Sequence, residues 1–270
     1  MKIDELLADK KYMPKKTFLK GCLKKKDTSD MSVELDLSVF NDTLIKPKNS
    51  KTKYGFKAHA IYSTLQKRRY IISENPQTKD VYDFWDMVKI EGVGVIIAFT
   101  NENELDSKRK YVTYWPNSAE RYGDITVTNY GVIDSSLVLA IVIHLELEQG
   151  YSEEKENVIL YLIKGWKNGS IPNSPTDLVE LYTSVSLTAG EGTVLIHSLT
   201  DSGPGAFMIT YFAVIVETLE REKNVDDEDE WDGMMIIKKI KDQIPSVPLS
   251  GMEVAYIFVA IVDYFVNGNI

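Results

Sequence analysis

At 270 residues, 44% hydrophobic and 26% charged, the chain has the composition of a soluble globular protein and the length for one large domain or two small ones. It contains nothing near the roughly 18 uncharged apolar residues of a membrane span, and Met1-Lys2-Ile3-Asp4-Glu5 lacks the basic end and apolar core of a signal peptide. A single cysteine, Cys22, excludes an internal disulfide and suits a reducing, cytoplasmic setting, while a net charge of −9 argues against nucleic acid, whose binding rests on neutralising phosphates.

The charge is unevenly spread. Residues 1–70 carry 17 Lys and Arg against 8 Asp and Glu, a local +9, which leaves −18 for the remainder. Residues 1–26 alternate short apolar pairs (Leu6-Leu7, Phe18-Leu19, Cys22-Leu23) with lysines, the pattern of an amphipathic helical lead-in. Those lysines are either a solvated helix and loop or a docking surface for an acidic partner. Residues 42–70 read as loop and edge strands: Tyr54–Ile61 alternates polar and apolar positions, and Leu65–Tyr70 is a hairpin turn entering a strand. Tyr70-Ile71-Ile72-Ser73-Glu74-Asn75-Pro76 follows, then an amphipathic helix carrying Asp83-Phe84-Trp85-Asp86-Met87-Val88. The uninterrupted apolar run Val93–Thr100 reads as a strand buried on both faces, so helices should cover both sides of its sheet. After Asn101-Glu102-Asn103-Glu104 and Lys110-Tyr111-Val112-Thr113-Tyr114-Trp115-Pro116, a glycine turn opens an alternating strand at Tyr122–Val127. Two further strands lie near Leu137–Leu147 and Val158–Ile163, with Gln149–Asn157 as the turn between them.

Gly165-Trp166-Lys167-Asn168-Gly169-Ser170-Ile171-Pro172 is a loop, and Ser174-Pro175-Thr176-Asp177 starts a helix through Leu178, Leu181 and Val185. Next comes the stretch around which the chain is organised, Val194-Leu195-Ile196-His197-Ser198-Leu199-Thr200-Asp201-Ser202-Gly203-Pro204-Gly205-Ala206-Phe207. It reads as a short buried strand, a turn-forming loop and a long apolar helix. A glycine-containing loop at a helix N-terminus aims backbone amides and the helix dipole at one spot, which makes an anion cradle. The acidic run Val225–Asp232 is a solvated loop or a contact for a basic partner or a metal. A helix begins at Met234-Met235-Ile236-Ile237, and Pro245-Ser246-Val247-Pro248-Leu249-Ser250 precedes a closing helix over Met252–Tyr264. His59, His144 and His197 are too scattered for a zinc site, His144 reads as structural, and neither a P-loop nor an internal repeat is present.

Several of these stretches, in this order, resemble the signature motifs of the protein tyrosine phosphatase family. Tyr70–Pro76 is similar to its Tyr-Ile-Ala-Thr-Gln-Gly-Pro, and Phe84–Val88 to its Phe-Trp-x-Met-Val. Residues 101–116 are similar to its Thr-Asn-x-x-Glu followed by Lys-Cys-x-x-Tyr-Trp-Pro. Trp166–Pro172 resembles the mobile Trp-Pro-Asp loop, and His197–Pro204 the His-Cys-x5-Arg phosphate loop. The resemblance covers residues 20–266 and implies one domain over 1–270, with an α/β (α+β) fold: a highly twisted mixed β-sheet flanked by helices on both sides.

The resemblance also implies which chemistry is absent. The family's reaction needs a thiolate whose pKa is depressed at the helix N-terminus, and Ser198 stands there instead. A hydroxyl stays protonated without a base, and none is evident in the loop Leu199, Thr200, Asp201, Ser202, Gly203. Pro204 replaces the arginine whose fork grips two phosphoryl oxygens, and Asn168 replaces the aspartate that protonates the leaving phenol. Leu249 falls at the glutamine that orients water, and Asp27 at the tyrosine that stacks on the substrate ring. A cysteine-to-serine trap would explain Ser198 alone, but not Pro204 and Asn168. Degenerate copies of this kind occur in the nematode and bracovirus phosphatase-like sets.

The expectation is therefore a pseudophosphatase: no enzyme, no cofactor, no metal, and a signalling protein as partner. Lys110, Trp115, Trp85 and Trp166 would serve stability. The alternatives are a weak phosphotyrosine or anion binder using the amides of His197–Pro204, and an enzyme with rewired chemistry. Losing the arginine removes two charge-assisted hydrogen bonds, each worth about 1.5–3 kcal/mol. A carboxylate at Asp201 facing a dianion would add a repulsion of up to several kcal/mol, so most of a micromolar phosphopeptide affinity would be gone. The oligomeric state is left open, with a monomer as the default.

Overall fold

In a computed structural model, the chain is described at residues 44–45, 56–61, 68–99, 113–150, 154–164, 166, 170–198, 204–222 and 250–267. Its strands are β1 (Ala58–Ile61), β2 (Tyr70–Glu74), β3 (Val93–Phe99), β4 (Ala119–Tyr122), β5 (Ile125–Ile133), β6 (Ala140–Gln149), β7 (Lys155–Ile163) and β8 (Thr193–Ser198). They form one sheet in the order β1-β2-β8-β3-β7-β6-β5-β4. The central four, β2, β8, β3 and β7, run parallel, and both flanks are antiparallel.

The helices are α1 (Val81–Ile90), α2 (Pro175–Ala189), α3 (Pro204–Glu222) and α4 (Gly251–Asn267). The sheet separates two apolar clusters. On one face Phe84, Trp85, Met87 and Val88 of α1 pack on Ile71, Ile96, Leu160 and Leu195. On the other, α2, α3 and α4 cover Ile72, Ile97, Val194 and Ile196. This is the mixed sheet with helices on both sides expected from the sequence. The run in β3 is apolar throughout because the strand lies between β8 and β7 with both faces covered.

Helix ends follow local chemistry. Ser174 caps α2 by accepting from the Thr176 amide at 3.2 Å, ahead of Pro175 in the first turn. Ser250 and Glu253 form a capping box on α4, the hydroxyl donating to the carboxylate at 2.8 Å and accepting from the Glu253 amide at 3.3 Å. Gly123, at φ +61 in the β4–β5 turn, has no room for a side chain: a Cβ there would stand 2.6 Å from the Tyr82 ring.

Two boundaries differ from the expectation. β6 and β7 extend to Gln149 and from Lys155, so the turn between them is shorter than Gln149–Asn157. Glu148 pairs with Lys155 in register, and Lys155 donates to Glu146 at 2.7 Å. An apolar run cannot reveal strand ends made of such solvent-facing charges. β5 continues past Val127 to Ile133 through a bulge between Asn129 and Gly131. The Asn129 side chain accepts there from the Gly131 amide at 2.8 Å and donates to Pro116 O at 2.8 Å. Among the described residues no helix is long and apolar enough to cross a membrane.

Candidate functional site

The C-terminal ends of the parallel strands converge on one edge of the sheet, where open α/β sheets place their ligands. Ser198 ends β8 there, in register with Glu74 on β2 and Phe99 on β3. Its carbonyl accepts from the Asn75 amide at 2.8 Å, which ties the loop after β2 to the end of β8. Ser198 is buried, and α3 begins at Pro204. Trp166, beyond the end of β7, stands edge-on to Phe99 with centroids 5.2 Å apart, its indole donating to Ser170 O at 2.8 Å. The fold thus brings Ser198, the start of α3 and Trp166 to the same end of the sheet.

His197 and Ser198 are adjacent in sequence but face opposite ways. Along β8, Val194 and Ile196 belong to the cluster under α3, and Leu195 to the cluster under α1. Strand periodicity sends His197 to the α1 side and Ser198 to the α3 side. The imidazole contacts bear this out. The ring stands edge-on to Phe84 and Tyr114, with centroids 5.8 and 5.3 Å away, and Nε2 is 2.7 Å from the Tyr114 hydroxyl. It is fully buried, and desolvation pushes its pKa down to about 3. Burial raises the Tyr114 phenol well above its ordinary value, so Tyr114 keeps its proton and can donate it to Nε2. Nδ1 has no hydrogen-bond partner among the described residues. His197 is a neutral brace across the sheet and is turned away from the Ser198 hydroxyl.

The tryptophans have structural partners. Trp85 is fully buried, edge-on to Phe84 (5.7 Å) and Tyr114 (5.5 Å), and donates to Tyr114 O at 3.2 Å. Trp115 is partly buried against the same cluster. His144 lies on β6, stacked on Tyr130 at 5.1 Å, with Nε2 2.8 Å from Asn157 Oδ1. Asn168, Leu249, Leu199, Thr200, Asp201, Ser202, Gly203, Lys110 and Asp27 lie outside the described residues. So do the lead-in at 1–26, the acidic run at 225–232 and the helix expected from Met234. Among the described residues no group of His, Cys, Asp and Glu could hold a metal ion.

A second polar cluster has no counterpart in the sequence reading. Behind β8, the Arg68 guanidinium donates to Glu217 Oε1 at 2.7 Å and to the Ser186 and Gly190 carbonyls at the C-terminus of α2. Tyr70 donates to the same Glu217 oxygen at 2.5 Å, and burial, with Glu217 adding to it, raises the phenol well above its ordinary value. The cluster joins β2, α2 and α3 across sequence separations of up to 149 residues, so no local pattern could announce it. Tyr114, by contrast, lies in a Tyr-Trp-Pro motif that is legible in the sequence.

A sequence model of the protein-tyrosine phosphatase family matches residues 30–262. The chain belongs to that family. Among curated proteins it is similar to the tyrosine-protein phosphatase non-receptor type 7 of Rattus norvegicus, 30% identical over 52% of this chain and 39% of that protein. It is also similar to the receptor-type tyrosine-protein phosphatase R of Mus musculus, 27% identical over 67% of this chain and 28% of that protein. Receptor-type tyrosine-protein phosphatase epsilon of Rattus norvegicus is 21% identical over 76% of this chain and 29% of that protein. The chain thus spans well under half the length of these relatives. In this phosphatase-family chain Ser198 ends β8, in register with Glu74 of β2 and Phe99 of β3, and α3 begins at Pro204.

Proposed function

We propose that this phosphatase-family chain is a catalytically inactive, intracellular protein-binding module. The observation that carries the reading is the division of His197 and Ser198 between the two faces of β8. The imidazole of the neighbouring residue is buried on the far side of the strand against Tyr114, so it is not placed to activate the hydroxyl at the nucleophile's place. Proline at position 204 supplies no charge for a phosphoryl group, and asparagine at 168 no proton for a leaving oxygen. Binding then falls to the rest of the chain, whose uneven charge, a lysine-rich first quarter and an acidic remainder, favours a folded protein partner steered by charge. The second reading, an anion held by loop amides, draws on the loop sequence between the end of β8 at Ser198 and the start of α3 at Pro204 alone.

The test is hydrolysis of p-nitrophenyl phosphate and a tyrosine phosphopeptide, with pull-downs at low and physiological salt. The expected result is no turnover above buffer, none restored by Ser198→Cys, and partner capture that weakens with salt. Turnover abolished by Ser198→Ala would overturn inactivity. Capture that is insensitive to salt but competed away by phosphotyrosine would favour the anion-binding reading.

A further inference from the structure

The lane beside β5 is only half filled. β5 pairs with β6 from Ile125 to Ile133, but with β4 only from Ile125 to Thr128, and the Asn129 amide donating to Ser118 O at 2.5 Å closes that ladder. The chain before β4 would run on beside Tyr130 if it stayed extended. Instead it turns at Pro116, which has no N–H to give a ladder, and leads to the buried Tyr114, with Asn129 Nδ2 donating to Pro116 O at 2.8 Å. Among the described residues, Tyr130–Ile133 therefore has a neighbouring strand on one side only.

Sheet edges are ordinarily blunted by lysine, proline or an inward charge. Tyr130–Ile133 has none of these and is apolar on both faces. Tyr130 (58% exposed) stacks on His144, and Ile133 pairs with Val142 of the cluster under α3. Val132 (69% exposed) pairs with Ile143 of the opposite cluster and lies diagonal to the exposed Ile141. An open edge offers its hydrogen bonds in the plane of the sheet, and its side chains alternate above and below that plane. Only another strand meets both at once; a helix or a flat surface would leave the edge uncovered.

Charge narrows the partner. Between Arg121 and Lys155 the sequence holds Asp124, Asp134, Glu146, Glu148, Glu153 and Glu154 and no Lys or Arg, and Lys155 is committed to Glu146 at 2.7 Å. Asp134 directly follows the open edge. A second copy of β5 would bring these acidic surroundings against their own kind. We propose that the lane takes an extended segment of a partner protein, β-branched and basic, by strand addition to Tyr130–Ile133. The proposal rests on the reading of the chain as a protein-binding module and names the kind of segment bound.

The test uses the full chain and a labelled short peptide of alternating valine and lysine, read by fluorescence anisotropy. N-methylation of alternate peptide nitrogens keeps the charge and removes donors, so it should weaken binding at least about tenfold. Glutamate in place of lysine should do the same. Val132→Lys adds a like charge at an exposed position, leaves the core intact and should also cost about tenfold. Bound peptide should slow amide hydrogen exchange at Tyr130–Ile133. Equal binding of the N-methylated peptide, unchanged binding by Val132→Lys, or unaltered exchange at these residues would each overturn the inference. So would self-association of the wild type that Val132→Lys abolishes, which would give the lane to a second copy. A partner pulled down equally by wild type and Val132→Lys would overturn the strand addition and leave the proposed function standing; failure to pull down any protein would count against the proposed function instead.

Discussion

Lowering the pH should destabilise this protein through His197. In the folded chain burial holds the imidazole neutral, with a pKa of about 3 against an ordinary 6.5. A buried neutral base contributes stability in full above the unfolded pKa and loses it as pH falls from 6.5 toward 3. Between pH 7 and pH 5 the unfolded histidine goes from about one-quarter to almost wholly protonated, while the folded one stays neutral; the linkage removes about 2 kcal/mol. That is a substantial part of the roughly 5–15 kcal/mol that holds an ordinary domain together. His197→Gln isolates the effect, because an amide can still meet the Tyr114 hydroxyl but does not titrate. Urea denaturation of both proteins at pH 7 and pH 5 cancels the carboxylates they share, and wild type should lose about 2 kcal/mol more than the variant. Equal losses in the two proteins would refute the assignment of a buried, neutral imidazole.

Two further outcomes concern the scaffold. Trp85→Ala removes a fully buried ring edge-on to Phe84 and Tyr114 and should cost about 3–5 kcal/mol, read as a lower urea midpoint; an unchanged midpoint would contradict its structural role. Arg68→Met strands the Glu217 carboxylate beside Tyr70 and should cost about 3 kcal/mol. The double variant with Glu217→Gln should recover much of that loss, and a double-mutant cycle showing no coupling would place the two groups' contributions elsewhere.

The fold was largely legible because its signals are local. β3 announces itself as seven apolar residues in a row, α2 by Ser174-Pro175, and the central strand, loop and helix by their succession from Val194 to Leu219. The position of Ser198 at a strand end came from the same stretch. Its relation to His197 was open to the sequence in principle, since neighbours on a strand face opposite ways, but only the burial of both faces of β8 gives that parity a consequence. The Tyr114–His197 contact spans 83 residues and the Arg68–Glu217 pair 149, so both depend on the strand order. The ends of β6 and β7 were missed for the opposite reason: Glu146, Glu148 and Lys155 are polar and pair across strands, so hydrophobic patterning stops short of them.

The residues that carry the fold and those that would carry phosphate chemistry are different residues, and this bears on the proposed function. His197, Tyr114, Trp85 and Phe84 form one buried aromatic contact set across β8, α1 and the segment before β4. Nothing in it requires a thiol at 198 or a guanidinium at 204. Serine for cysteine exchanges one small side chain for another at the end of β8. Proline for arginine falls on the first residue of α3, the position where a helix tolerates proline best, because the lost N–H has no intrahelical partner and φ is already set. On the proposed reading, the residue standing where the phosphate-gripping charge would be is therefore compatible with starting the helix. The proposed function therefore asks nothing of the aromatic set that holds β8: on that proposal the reaction would be lost with the domain kept, and recognition would fall to other surfaces than the loop after β8.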